Sequence, residues 1–135
     1  MIVSGLQHLN LRCARSDLPR LEQFYRDVVG LHRGARPSLR SEGIWMYAGT
    51  CPIVHISARC EENFIKAEHQ GSFDHIAFAA SGAATLIDRL TALGIRYDAQ
   101  QVPGAGFQIF ITDPLGTALE FNFPDSEAPD RQTAT

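Results

Sequence analysis

The chain repeats itself. His8 aligns with His75, Gly30 with Gly94 and His55 with Glu120, each pair separated by nearly the same offset, about half of the 135-residue chain. A repeat of this length governs the rest of the reading, because each copy must be one supersecondary unit and the architecture must accommodate two of them. In the first copy, Leu6–Leu11 alternates apolar and polar residues as a strand does. Ser16 and Asp17 offer caps for a helix whose Leu18, Leu21, Phe24 and Val28 recur at helical spacing, and Gly30 stops it. Strands are expected at about Leu31–Ala35, Gly43–Ala48 and Pro52–Ala58, and the polar, aperiodic Arg59–Gly71 reads as a linker. The order then recurs: a strand over Phe73–Ala80, a helix capped by Ser81 with Leu86, Leu90 and Leu93, a stop at Gly94, and strands at about Ile95–Ala99, Gly106–Thr112 and Thr117–Phe123. Asp113-Pro114-Leu115-Gly116 has the residues of a tight turn between the last two. The polar tail from Asp125 reads as frayed.

The predicted fold is therefore α+β: two βαβββ modules, about 5–58 and 72–123, within a single domain spanning 1–135. Each module alone would leave a sheet with one covered face and open edges. The expectation is that they pack as a paired, partly closed mixed sheet with the helices outside.

Side chains alternate across a strand, so parity decides what each strand offers to either face. Leu9 and Leu11 oppose His8, Asn10 and Arg12; Val54 and Ile56 oppose His55, Ser57 and Arg59. Ile76 and Phe78 oppose His75; Leu119, Phe121 and Phe123 oppose Glu120 and Asn122. Four strands thus set an apolar row against a row carrying one histidine or glutamate, at repeat-equivalent places. Taken singly, a strand histidine is more often a satisfied core residue and a strand glutamate a solvated one. The coincidence of all four favours a site. Two imidazoles and a carboxylate, His8, His75 and Glu120, suit a borderline divalent ion (Fe, Mn, Ni or Zn) and leave positions open for substrate. His55 reads equally as a fourth ligand, as a hydrogen-bonding partner to the ligands, or as a core histidine. His32 and His69 read as surface residues. Of Trp45, Tyr47, Phe107 and Phe110, most are expected in the core.

Bulk properties exclude other classes. A net charge of −3 gives no general attraction to nucleic acid or an anionic membrane. Cys13, Cys51 and Cys60 form no CxxC pair and read as buried or idle thiols of a reducing compartment. No apolar run approaches a membrane span and no signal peptide opens the sequence, so a cytoplasmic protein is expected.

LQHLNLR, the helix ending FYRDVVGL, FDHIAF and above all FITDPLGTALEF resemble the vicinal oxygen chelate superfamily, which includes glyoxalase I, methylmalonyl-CoA epimerase, fosfomycin-resistance enzymes and extradiol dioxygenases. The resemblance covers Leu6 to Phe123. It implies paired modules closing a sheet around a metal, with His8, His75 and Glu120 at the shared ligand positions. It also implies Glu120 as a catalytic base after the manner of glyoxalase I, and a homodimer. His55 stands where glyoxalase I has a glutamate and the epimerase a glutamine, a departure from both activities. Arg12 corresponds to an arginine that contacts glutathione, whereas Arg59 replaces an asparagine. The implied function is a metal-dependent lyase, isomerase or ring-cleaving dioxygenase acting on a small oxygen-chelating metabolite. The alternative is a metal-free binding or antibiotic-sequestering protein of the same fold. The parity of Arg12 and Arg59 with the histidines marks both as substrate-binding candidates and predicts an anionic substrate, for instance a carboxylate.

Overall fold

The computed structural model describes residues 1–2, 4–60 and 73–128, with the side chains of 59 and 60 excepted. It divides into two compact units, Met1–Lys66 and Ala67–Thr135. The first contains β1 (Leu9–Ala14), α1 (Leu18–Asp27), β2 (His32–Arg33), β3 (Gly43–Ala48) and β4 (Cys51–Cys60). The second contains β5 (His75–Ala79), α2 (Ala83–Ala92), β6 (Asp98–Val102), β7 (Gly106–Thr112) and β8 (Ala118–Phe123). The sheet orders are β1-β4-β3-β2 and β5-β8-β7-β6, the same topology twice, which makes the fold α+β as expected. In each sheet the first strand pairs parallel with the fourth, and the remaining pairs are antiparallel. Each sheet is open, so neither is by itself a partly closed one.

Several boundaries move. The first strand starts at Leu9, so His8 lies just before it. β4 continues to Cys60, into the segment read as linker. The rest of that segment, with His69, lies outside the described residues. β6 begins at Asp98 instead of Ile95. These shifts follow from pairing: strand ends are set by where a neighbouring strand continues to offer partners, which hydropathy does not report.

In the first unit, α1 presents Leu21 and Tyr25 to Ile44 and Met46 of β3 and to Val54 and Ile56 of β4, all of them 2% exposed or less. Asp17 occupies the N-cap without a side-chain cap bond; the chain enters through a 3-10 turn over Arg15–Asp17, with a proline in the first helical turn. In the second unit, Leu86 and Leu90 of α2 join Phe107, Ile109 and Ile111 of β7 and Leu119, Phe121 and Phe123 of β8 in the core.

Two glycines allow the third and fourth strands of each module to approach. A Cβ on Gly43 would meet the Ile56 carbonyl oxygen at 2.3 Å, and one on Gly106 would meet that of Phe123 at 2.3 Å. The Asp113–Gly116 turn then sets the β7/β8 register. The buried Asp113 carboxylate accepts from the Leu115 and Thr117 amides at 2.9 and 2.8 Å. The resulting ladder opposes Phe110 to Glu120.

The helix cap of the second module departs from expectation. Gly82, in a left-handed conformation, takes the N-cap that Ser81 was expected to fill. The orphan amides of Gly82 and Ala83 both donate to Glu127 Oε2, at 2.6 and 2.8 Å. The segment read as a frayed tail forms a 3-10 turn over Asp125–Glu127 to deliver this carboxylate. A charged acceptor on two N-terminal amides also complements the helix dipole. Glu127→Ala should therefore cost about 1 kcal/mol of stability, and Glu127→Gln clearly less. Urea unfolding of the three proteins checks this; an unchanged midpoint for the alanine variant would contradict the cap.

Candidate functional site

The parallel pairing of first and fourth strands places the singled-out residues as two pairs, one in each module. In the second module, His75 opens β5 and Glu120 sits in the middle of β8, on the face opposite its core residues. His75 Nε2 lies 2.9 Å from Glu120 Oε2, and His75 Nδ1 lies 2.6 Å from Asp74 Oδ2. Glu120 is 6% exposed, and Asn122 Nδ2 donates to its Oε1 at 3.3 Å. The edge of the imidazole faces Phe110, with centroids 6.2 Å apart.

An imidazole held between two carboxylates is stabilised as the cation, because only imidazolium can donate from both nitrogens. Accordingly the His75 pKa is raised, first by the hydrogen bond to Asp74 and then by the negative charge of Glu120, against an opposing effect of burial. The arrangement also fits a metal. Asp74 fixes the ring and turns Nε2 toward Glu120, as carboxylates commonly do behind a ligating histidine. A nitrogen and an oxygen 2.9 Å apart can both reach one ion over bonds of about 2.0–2.2 Å.

In the first module the pair is His8 with His55. Their rings stack at 3.9 Å with an interplanar angle of 18°, and Trp45 stacks on His55 at 4.0 Å and 4°. Trp45 is the cross-strand partner of His55 in the β3/β4 ladder. His55 is 8% exposed, and its Nε2 is buried without a hydrogen-bond partner among the described residues. Its pKa is lowered, chiefly by burial and then by the nearby positive charges of His8 and Arg36, against the effect of a hydrogen bond with the Pro52 backbone. Burial thus disfavours the imidazolium form of His55 and leaves its Nε2 unpartnered among the described residues. An orphaned buried nitrogen costs on the order of 1–3 kcal/mol unless something binds it, so this atom too accommodates a metal or a substrate donor. His8 Nδ1 lies 2.9 Å from Gln7 Oε1, which orients the ring.

Beside this stack lies a cleft of about 350 Å³ whose lining includes Arg12, Arg36, Asn10 and Ser57. Asn10 and Ser57, on adjacent strands, hydrogen-bond to each other reciprocally at 3.0 and 3.1 Å. Arg12 lines the cleft as its parity requires. Arg59 belongs to β4, but its side chain lies outside the described residues. Among the described residues, no group of three or more His, Cys, Asp or Glu side chains gathers around a point.

Asp74 was not among the residues singled out from the sequence; Arg36 belongs to the basic run His32–Arg40, which reads as a solvated hairpin able to approach an anionic substrate, and Trp45 was weighed only as one of four aromatic residues. Asp74 could have been found from the Asp-His step of FDHIAF. Arg36 lies in a loop whose path carries no periodic signal. The expectation that most of the four aromatic residues are core holds only for Phe107. Trp45, Tyr47 and Phe110 lie half-buried on the opposite faces of their strands. His32 is on the surface, as expected; Cys13 is buried and Cys51 exposed, both as free thiols.

The protonation contrast between the modules is measurable. In metal-free protein, His75 should titrate above the ordinary value of about 6.5 and His55 below it, and Asp74→Asn should lower the His75 midpoint. The stabilisation due to His75 should be fully present below its unfolded pKa and fade as pH rises through the raised folded value. A pH series of histidine NMR resonances tests both; a His75 midpoint unmoved by the substitution would refute the assigned cause.

A family model described as the Glyoxalase/Bleomycin resistance protein/Dioxygenase superfamily matches residues 5–121. No curated protein matches the chain at significant similarity. Among solved structures, a glyoxalase family protein of Bacillus anthracis superposes with a TM-score of 0.73 at 21% identity, covering 92% of this chain and 98% of its own. Lactoylglutathione lyase of Agrobacterium tumefaciens gives 0.66 at 22% identity, with 94% and 98% covered. A mutant of the fosfomycin resistance protein FosX of Listeria monocytogenes, complexed with Mn(II) and 1S,2S-dihydroxypropylphosphonic acid, gives 0.68 at 19% identity, with 91% and 94% covered. At these identities the likeness establishes the fold alone. Among the described residues no helix is long and apolar enough to cross a membrane.

Proposed function

Because the chain belongs to the glyoxalase/bleomycin resistance protein/dioxygenase superfamily, we propose that it is a divalent-metal-dependent enzyme whose ion is held by His8, His75 and Glu120. Each module contributes its part of this ligand set, from one chain or from the two chains of a cytoplasmic homodimer. The observation that carries the reading is the His75–Glu120 pair: a nitrogen and an oxygen donor 2.9 Å apart, backed by Asp74 and Asn122, with Glu120 buried and His75 half-buried on the sheet face opposite the core. Imidazole and carboxylate donors fit Fe, Mn, Ni or Zn; the FosX relative carries Mn(II).

A divalent ion bound there would supply Lewis acidity toward two oxygens of a small substrate. The chain's own residues do the rest. Asp74 holds His75 with Nε2 forward; Asn122 donates to Glu120 Oε1 while Oε2 faces His75 Nε2, and Oε2 would be the atom at which Glu120 accepts or returns a proton. His55, kept neutral by burial, stacks on His8 and fixes the plane of that ring. Its unpartnered Nε2 remains available to an ion or a substrate hydroxyl. Arg12 and Arg59 would hold an anionic part of the substrate. Lyase, isomerase and ring-cleaving dioxygenase chemistry share these ligands, and proton transfer through Glu120 favours the first two. The same fold without a metal would be a small-molecule binding or antibiotic-sequestering protein.

Elemental analysis of protein purified without added ions separates the enzyme reading from the binding-protein one: a stoichiometric transition metal is expected, and its lack after reconstitution trials would defeat the proposal. Glu120→Ala should abolish metal retention. His55→Ala should do so only if its Nε2 is a ligand; as a support for His8 it should weaken affinity by about 10- to 100-fold. Equal and negligible effects of both substitutions would contradict the assignment.

A further inference from the structure

The cleft of about 350 Å³ in the first module has an unusual charge balance. Arg12 and Arg36 both line it, and among the described residues no aspartate or glutamate does. Among the described residues neither guanidinium forms an ion pair, whereas Arg15, Arg26 and Arg33 each have a carboxylate partner. Arg36 is held from behind: its Nη2 donates to the Ser41 carbonyl oxygen at 2.7 Å. That bond, with a longer one from the same nitrogen to the Ser41 hydroxyl at 3.4 Å, orients a half-buried guanidinium, and among the described residues no carboxylate pairs with it. The floor is polar but uncharged. Asn10 and Ser57 satisfy each other across β1 and β4, beside the imidazole of His55. Two like charges in one cleft repel unless an anion lies between them, and an arginine pair matches the oxygens of a carboxylate or phosphate.

We propose that Arg36, reaching in from the β2–β3 loop, is the specificity-determining partner of Arg12, and that the two guanidiniums clamp an oxyanion group of the substrate beside the Trp45–His55 stack. The oxyanion is a carboxylate, phosphonate or phosphate, and the cleft volume suits a small metabolite. This deepens the substrate reading above and rests on the chain being a small-molecule enzyme. The clamp lies within one module, so its test does not require the metal.

Trp45 is the only tryptophan and lines the cleft, so its emission reports on occupancy. Chelator-treated protein is titrated with benzoate, with inorganic phosphate, and with benzamide as the neutral counterpart of benzoate. A saturable emission change is expected with at least one anion and none with benzamide, weakening as salt is raised. Arg36→Gln and Arg12→Gln should each reduce that affinity by about tenfold or more, and Arg26→Gln, whose guanidinium pairs with Asp27, should not. Arg36→Lys retains the charge without the fork and should fall between, which keeps the test valid should the glutamine variant fail to fold. No saturable response to either anion, equal binding of benzamide, or unchanged affinity in both Arg36 variants would overturn the clamp. A protein that binds the anion yet never retains metal would defeat the metal reading and leave the clamp standing; the converse result would do the opposite.

Discussion

The parallel pairing of the first and fourth strands in each module is the interaction on which the rest depends. It sets Asn10 opposite His55 and Ala77 opposite Glu120, bringing together residues far apart in sequence. Without it His75 would have no carboxylate from β8 beside it, and His55 would have no imidazole above it. A parallel pair also needs a crossover, which α1 and α2 supply, so the apolar stripe of each helix and the polar face of each sheet are two sides of one requirement. The helix covers one face and the opposite face is left for chemistry.

Within this common frame the modules have diverged electrically. In the second, carboxylates on both sides of His75 favour its protonated form; in the first, burial and cationic neighbours keep His55 neutral. One pair therefore sets a carboxylate beside an imidazole whose protonated form is favoured, and the other sets an imidazole whose neutral form is favoured beside a cleft lined by two arginines. The same strand order supplies the geometry twice, and different residues on the polar faces give each module its own charge. The third-strand aromatic residue follows the same division: Trp45 covers His55 face-on, whereas Phe110 meets the edge of His75.

Much of this was legible in the residues themselves. The strands expected over Gly43–Ala48 and Gly106–Thr112 have those same bounds in the structure, and Gly30 and Gly94 mark real helix stops. The parity argument also put His55 and Glu120 on the faces opposite Val54 and Leu119, where they lie. What could not be read was whatever depends on contacts between distant segments. The first strand was placed early because Leu6 continues the alternation, yet pairing with β4 begins only at Leu9. Arg36 sits in an aperiodic loop, and only the tertiary fold brings it next to His55. Ser81 looked like a helix cap because caps are usually local, and the cap arrived from Glu127.

That distant cap bears on the order in which the molecule assembles. During synthesis the first module can complete its helix from residues already made, since α1 enters through its own 3-10 turn. The second helix must wait: its first amides find their acceptor only after β8 has been made and laid beside β5, a closure spanning 45 positions. Contacts of such long reach form late, because the intervening chain must be ordered first. Until then α2 has unsatisfied amides at its N-terminus, and His75 has no Glu120 to face. The nascent second module therefore passes through a stage in which its sheet is incomplete and its apolar face uncovered, the kind of state that engages chaperones. Helix completion and arrival of the site carboxylate become nearly one event, so a chain that has closed its second helix has also assembled its acidic pair.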